Sequence, residues 1–352
     1  MIKKKEFLFE ICWEVCNKVG GIYTVINSKL FEVQKNFENY YLMGIYQEKN
    51  SEFIEEKIPK VYEIAYGNLL KKGIKLHFGK WNLKNRPNVI LVEHLGYSSN
   101  INEIKTCLWE KYSIDSLNSN WHDFDEAILW SWVCGITIKE LSNFIDEKII
   151  VHSHEWMSGG AILYLKTLNL EQIKTIFTTH ATMLGRAMSG NGQDIYSNME
   201  NIDAEKKAYE LNIQTKYHTE KALANISDVF TTVSHITGKE AEFFYKKKPD
   251  ILLFNGFDVN HRNFDYYFHS FKKSRYLINE FIESYFYNYY NLNLDNALIF
   301  YTSGRYEIKN KGIDLMIDSL GKINEKLKET GSDKTIISFF LIPFGNYDKD
   351  ET

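Results

Sequence analysis

The sequence predicts an α/β protein of two domains built on mostly parallel sheets, and three observations carry that expectation. Short apolar runs recur along the chain, each followed by a segment with helical periodicity, the alternation that a parallel sheet covered by helices requires. At 352 residues the chain is too long for one ordinary core, and its 44% hydrophobic and 25% charged content supplies apolar surface for two. Near residue 260 the composition turns aromatic-rich, and a second strand, helix and strand follow.

Taken in order, strands are expected at Phe7–Cys12, Tyr40–Tyr46, Val89–Val92, Lys148–His152, Thr175–Thr179, Val229–Val233 and Ile251–Phe254. After the first of them, Ile22, Val25, Ile26, Leu30 and Val33 share one helical face. Within "VFTTVSHITGKEAEFF", Thr237 with Glu240 three residues later reads as a capping box that opens a helix. From His261 to Leu294 an aromatic-rich connection is expected, with Leu277, Phe281 and Tyr285 on one helical face. "ALIFYTSGR" is then a strand, Ile313, Met316, Ile317, Leu320, Ile323 and Leu327 form the face of a helix, and "TIISFFLIPF" is a further strand. The expected division is 1–260, 261–295 and 296–352, and one strand, one helix and one strand cannot close a core, so the second domain is expected to be incomplete.

A net charge of −4 argues against a nucleic-acid partner, which would demand a basic surface. Cys12, Cys16, Cys107 and Cys134 fit no metal spacing and suit reduced thiols in a cytoplasm. The apolar run in "MIKKKEFLFEICW" is too short and too quickly charged for a signal peptide, and no segment reaches the ~18 apolar residues of a membrane span. A cytoplasmic protein is expected; the oligomeric state, a homo-oligomer included, stays open.

Four segments could carry chemistry. In "NKVGG" the adjacent Gly20 and Gly21 lie between strand and helix, where backbone can approach a ligand, free N–H groups favour an anion, and Lys18 adds a mobile charge. By itself the segment also reads as a plain turn, since it is neither GxGxxG nor a Walker loop. "TTHATMLGR" places His180 and Arg186 directly after a strand, at the end of an open sheet that faces a ligand. "SGRYEIKNKG" places Arg305 and Lys311 in the same position on the second domain, and an arginine fork with a lysine is a usual way to hold a diphosphate. In "VHSHEWMSGG", His152, His154 and Glu155 invite a metal, but the spacing lacks the helical HExxH pattern, and an acceptor-site or structural role is the stronger reading.

The blocks "FEICWEVCNKVGGIYTVI", "HSHEWMSGG", "HATMLGR", "DVFTTVSHITGKEAEFFYKKKPDILLFNGFDV" and "SGRYEIKNKGIDLMIDSL" resemble, in order, those of the eukaryotic-type glycogen synthases, glycosyltransferase family 3, over most of Phe7 to about Leu327. That resemblance implies a GT-B fold, two Rossmann-like domains facing a cleft. It also implies retaining transfer of glucose from UDP-glucose to the 4-hydroxyl of a glycogen or other α-1,4-glucan end, with no required metal or other cofactor. Carried over by position, Lys18 with Gly20 and Gly21 contacts the nucleotide sugar, His180 sits against the transferred glucose with Arg186 beside it, and Arg305 and Lys311 hold the diphosphate. A neutral His180 donating to the sugar suits a ring on which positive charge grows, and Arg305 and Lys311 suit the negative charge growing on the leaving UDP. A sucrose- or trehalose-type transferase shares the Arg305 and Lys311 logic but not the KVGGIYTV and HATMLGR blocks together. A non-catalytic glucan- or nucleotide-binding remnant is the other alternative, and UDP against ADP preference is left open.

Overall fold

A computed structural model of the chain describes residues 4–256, 264–290 and 292–343. The described residues of Met1–Ala187 and Ile195–Phe257 make one compact unit, and those of Met188–Asp194 and Asp258–Thr352 make another.

The first unit is a nine-stranded sheet. Its strands are β1 (Lys4–Ile11), β2 (Phe37–Ile45), β3 (Phe53–Glu55), β4 (Lys75–Trp81), β5 (Asn88–Glu93), β6 (Ile149–His154), β7 (Ile173–Thr179), β8 (Val229–Thr232) and β9 (Ile251–Leu252), in the order β3-β4-β5-β2-β1-β6-β7-β8-β9. Every pairing from β5 to β9 is parallel, and only β3 with β4 and β4 with β5 are antiparallel. The end of β1, Leu8 to Ile11, is buried without alternation, as a strand covered on both faces must be. The chain builds outward from β1 through β2 and β5, then returns to lay β6 against the other side of β1. The order therefore reverses between β1 and β6, and the carboxyl ends there form the crevice at which open α/β sheets bind ligands.

Helix α1 (Ile22–Asn36) buries Tyr23, Ile26 and Leu30 beside Leu42, Trp81 and Leu91, with Ile22 and Val33 packed at the margin, close to the predicted face. Each such side chain contributes roughly 1.5–3 kcal/mol by leaving water. α2 (Glu63–Lys71) and α3 (Ile101–Tyr112) follow, and then α4 (Glu126–Ser142), which is buried on every side. Ser131 on α4 donates to the Ala127 carbonyl (2.9 Å) and accepts from the Gly160 N–H (3.1 Å) at the start of α6 (Gly160–Thr167), after the one-turn α5 (Glu155–Ser158). The remaining helices are α7 (Met183–Gly190), whose residues from Met188 on count with the other unit, α8 (Ala204–Glu210), α9 (Gln214–Ile226) and α10 (His235–Phe244). The four cysteines are free thiols.

Three expectations are corrected here. β3 and β4 were not expected, because His77, Gly79 and Lys80 interrupt the apolar run; the sheet takes them because His77 stacks on Tyr46 (3.8 Å) and bonds Glu55 (2.8 Å) and Glu93 (3.2 Å). The N-cap of α10 lies three residues before the supposed one: it is Ser234, its hydroxyl accepting from Thr237 N–H (3.1 Å), and Glu240 is committed elsewhere. The last expected strand of this unit stops at Leu252.

In the second unit, β10 (Ala297–Ser303) and β11 (Thr335–Leu341) pair in parallel around α12 (Ile313–Glu329), the expected strand, helix and strand. The aromatic-rich segment is a helix, α11 (Phe264–Phe286), of the same unit. The face that packs is not Leu277, Phe281 and Tyr285, which are more than half exposed, but Ile278, Ile282 and Phe286, set against Leu294, Ala297 and Ile337. Both sets have helical spacing, and aromatic rings at the boundary outweighed the two isoleucines in the sequence pattern. On α12 only Ile313 of the expected face is buried, and Ile317 and Ile323 are exposed. His261, Phe344 at the end of "TIISFFLIPF", and the chain end after it lie outside the described residues.

Candidate functional site

Between β1 and α1 the backbone turns through Cys16, which is left-handed (φ 54°) and whose carbonyl accepts from the Asn50 amide (2.8 Å). Gly21 is the N-cap of α1. Glu14 bends back over this turn: its Oε2 accepts the Tyr23 N–H (2.7 Å), and a Cβ on Gly20 would meet its Oε1 at 2.5 Å. Room at Gly20 thus serves the chain's own carboxylate, while Gly21 has open space and Lys18 is exposed with Nζ over the Tyr23 ring (5.7 Å). The helix start holds an anion, as its free N–H groups favour; that anion is Glu14.

One strand over, β6 ends in His152, Ser153 and His154, and the two-residue period puts both imidazoles on one face, 4.2 Å apart. Opposite His152 in β1 is Glu10, 1% exposed. Its carboxylate is paired with the Lys29 ammonium, and accepts from His154 Nε2 (2.6 Å) and from the Tyr40 hydroxyl (2.5 Å). Burial alone would raise the acid, but Lys29 and the His154 bond hold it well below the usual carboxylate range. His154 Nδ1 lies 3.0 Å from Nε2 of His180, which follows β7. Burial, then the neighbouring His154 and Lys29, push His180 down to about 3, and burial keeps His152 and His154 below the ordinary imidazole value as well. Burial thus favours the neutral form of all three rings.

Carboxylates from three other elements hold the turn from His180 into α7. Glu155, left-handed at φ 64° directly after β6, accepts from the N–H groups of His180 (2.7 Å) and Ala181 (3.3 Å). Glu220 on α9 accepts from Met183 N–H (2.8 Å) and from the Tyr245 hydroxyl. Glu240 on α10 accepts from the Thr182 hydroxyl (2.6 Å) and Tyr196 (2.6 Å), and Thr182 in turn caps Gly185 N–H (3.0 Å). Burial, partly offset by the His180 N–H and the Arg186 guanidinium, raises Glu155 to about 7; burial and then the charge of Glu155 push Glu220 far up. The other oxygen of Glu220, Oε1, is buried with no hydrogen-bond partner among the described residues. Arg186, exposed on α7, brings its positive charge to both acids.

In the second unit Arg305 and Lys311 follow β10, on a loop closed by Lys311 N–H to the Glu307 carbonyl (2.9 Å) and ending at left-handed Gly312. Both side chains are exposed. Arg305 Nε is paired with Glu307 (3.1 Å), and the Lys311 stem lies along Gly304. Lys309 is bound to Asp314 (2.5 Å).

Of the residues expected from sequence, His180 and Arg186 share one turn and Lys18, Gly20 and Gly21 another, at the ends of β7 and β1, with β6 between. Glu10, Lys29, Glu220 and Glu240 were missed. A glutamate inside the apolar strand "FLFEIC" was the one available signal for Glu10; on helices, Glu220 and Glu240 have none. Glu10, His152 and His154 could be regrouped around a cation, their ligand atoms lying within 4.8 Å of one another. Their donor set does not fit one: the Lys29 ammonium already sits on Glu10, His152 Nε2 is bound to Thr178 (2.7 Å), and both nitrogens of His154 are committed. Among the described residues no helix is long and apolar enough to cross a membrane.

The sequence pattern of a family described as glycogen synthase matches residues 10–348. The chain is 36% identical over 359 aligned positions to glycogen [starch] synthase isoform 1 of Saccharomyces cerevisiae, covering 97% of this chain and 50% of that protein. It is 36% identical to the liver glycogen [starch] synthase of Homo sapiens, covering 96% of this chain and 48% of that one. The chain thus spans about half the length of the curated relatives it matches. Among solved structures, the catalytic domain of starch synthase IV from Arabidopsis thaliana, bound to ADP and acarbose, matches with TM-score 0.56 at 14% identity, over 97% of this chain and 69% of that one. The fold is therefore the α/β fold of the GT-B glycosyltransferases, of which the chain matches part.

Proposed function

The chain belongs to the glycogen synthase family of glycosyltransferases, and from that premise we propose that it transfers glucose from UDP-glucose to the 4-hydroxyl of an α-1,4-glucan end, with retention. His180 lies against the sugar; Lys18, Gly20, Gly21 and Arg186 bind the donor; Arg305 and Lys311 take the diphosphate. The observation that best supports the reading is the position of His180, held against His154 at the carboxyl edge of the sheet beside the point where strand order reverses, where burial favours its neutral form. A cationic imidazole there would oppose the positive charge that grows on the sugar ring as the glycosidic bond breaks, and a neutral one does not. On the leaving side, Arg305 offers a fork and Lys311 a point charge to the growing negative charge. The site would work in a cytoplasmic enzyme on glycogen as partner.

The test incubates the protein, at the full length its gene encodes, with glucose-labelled UDP-glucose and glycogen. Label entering glycogen and released by an α-1,4-specific glucosidase is the expected result. Label in a disaccharide would favour the sucrose- or trehalose-type alternative, and binding of UDP-glucose with no transfer would favour a binding protein.

A further inference from the structure

The chain of contacts from Glu10 to His180 determines which nitrogen of His180 carries the proton. Glu10 is an ionised carboxylate, paired with Lys29 and bonded by Tyr40, so it only accepts. The His154 nitrogen that faces it, Nε2 at 2.6 Å, must therefore be the donor. A neutral imidazole carries one N–H, so His154 Nδ1 presents a lone pair. Facing that lone pair at 3.0 Å is His180 Nε2, and the single hydrogen between the two rings must come from His180. Its other nitrogen, Nδ1, is then bare, and among the described residues it has no hydrogen-bond partner.

We propose that Glu10 and His154 are positioning residues that hold His180 as the Nε2–H tautomer, so that the nitrogen it keeps for a ligand accepts a hydroxyl proton and cannot donate one. This reverses the donor role that the sequence suggested. The opposite arrangement needs either a protonated Glu10 or a cationic His154. The Lys29 charge on Glu10 opposes the first, and the same Lys29 with full burial opposes the second. His152 does not compete for Glu10, lying 3.6 Å from it with its other nitrogen bound to Thr178 (2.7 Å), which continues to Thr231 (2.5 Å). Chemically the choice selects a ligand with an O–H to give. A sugar hydroxyl qualifies, whereas a carbonyl or phosphate oxygen at the same place would set two lone pairs against each other. That the hydroxyl belongs to the transferred glucose rests on the function proposed above; the tautomer does not.

The experiment is NMR on the 352-residue protein labelled with 15N-histidine, free of substrate at neutral pH, with His180 assigned by the signals lost in His180→Gln. The expected spectrum has a pyrrole-type Nε2 and a pyridine-type Nδ1 for His180. It also has a protected proton with its one-bond coupling to His180 Nε2 and a small through-hydrogen-bond coupling to His154 Nδ1. A proton on His154 Nδ1, or a pyrrole-type Nδ1 on His180, overturns the proposal. In His154→Phe, which keeps a ring and removes the acceptor, the protected proton should be lost and the minor Nδ1–H tautomer of free imidazole should appear. An unchanged His180 spectrum in that variant would show that His154 does not set the tautomer, and if the variant does not fold the wild-type couplings decide alone. Because no substrate is present, a protein that fails to make glucan leaves this outcome untouched.

Discussion

Replacing Lys29 with methionine keeps the length and apolar stem of the side chain and deletes the one formal positive charge on Glu10. Glu10 is 1% exposed on its side chain and Lys29 30%, so the surviving carboxylate has little water to turn to. Breaking a buried pair from one side costs about 3–5 kcal/mol. Glu10 would retain bonds from His154 and Tyr40, and hydrogen bonds to a charged group contribute about 1.5–3 kcal/mol each, so the lower end, about 3 kcal/mol, is expected. Urea unfolding followed by tryptophan fluorescence reads it, because all seven tryptophans, Trp13 to Trp156, belong to the first unit. The pH dependence reverses as well. In the native protein Glu10 is depressed, so its contribution is present above the unfolded value near 4.3 and is lost as pH falls through the lower folded value. Without Lys29 burial dominates and raises Glu10, so its contribution is present at low pH and lost as pH rises. Pairing Lys29→Met with Glu10→Gln should recover at least half of the loss. A loss under about 1 kcal/mol for Lys29→Met, the scale of a surface ion pair, or a double variant no better than the single, would refute this account of the cluster.

A Cβ at Gly185 would lie 2.5 Å from Thr182 Oγ1 and 2.8 Å from Glu240 Cδ. Gly185→Ala should therefore destabilise by about 1–2 kcal/mol in the same fluorescence assay, although alanine gains about 1 kcal/mol in helix propensity; a more stable variant would mean that Glu240 gives way freely. Glu155→Gln keeps an acceptor for His180 N–H and Ala181 N–H. Since Glu155 is raised to about 7, its contribution is full below the unfolded value near 4.3 and fades as pH rises through 7; the variant should lose that slope between pH 5 and 8, and a stability curve parallel to the native one would count against a raised Glu155. Arg305→Ala at full length should leave stability within about 1 kcal/mol, the Arg305 end of its pair with Glu307 being more than half exposed. Its turnover should fall by ~100-fold or more if Arg305 stabilises the leaving diphosphate, and unchanged turnover would remove that role.

The parallel strands were legible because each is a short apolar run with a helix behind it, and His180 was legible because it closes such a run. β4 was not, since the features that bury it, His77 stacked on Tyr46 and bonded to Glu55 and Glu93, are polar in the sequence and become core only through partners from other strands. α11 shows the limit of periodicity: Leu277–Phe281–Tyr285 and Ile278–Ile282–Phe286 are equally good stripes one residue apart, and only the small core of the second unit distinguishes them. At the site the deciding contacts are long-range. Glu10 meets His154 across 144 positions and Glu240 meets Thr182 across 58, separations over which local pattern says nothing.

A helix apolar on all sides, as α4 is, has lost the means by which most helices choose an orientation: no stripe tells it which flank belongs inward. Rotated by one residue it would still bury leucine, tryptophan and isoleucine. Two features distinguish its rotations: Gly135, where an added Cβ would lie 2.9 Å from the Ala161 carbonyl oxygen, and the Ser131 hydroxyl, which accepts the backbone N–H of Gly160. Ser131 thus carries orientation more than energy, and its replacement by alanine should blur the interior, broadening side-chain signals of Trp130 and Trp132, before it lowers the melting point appreciably.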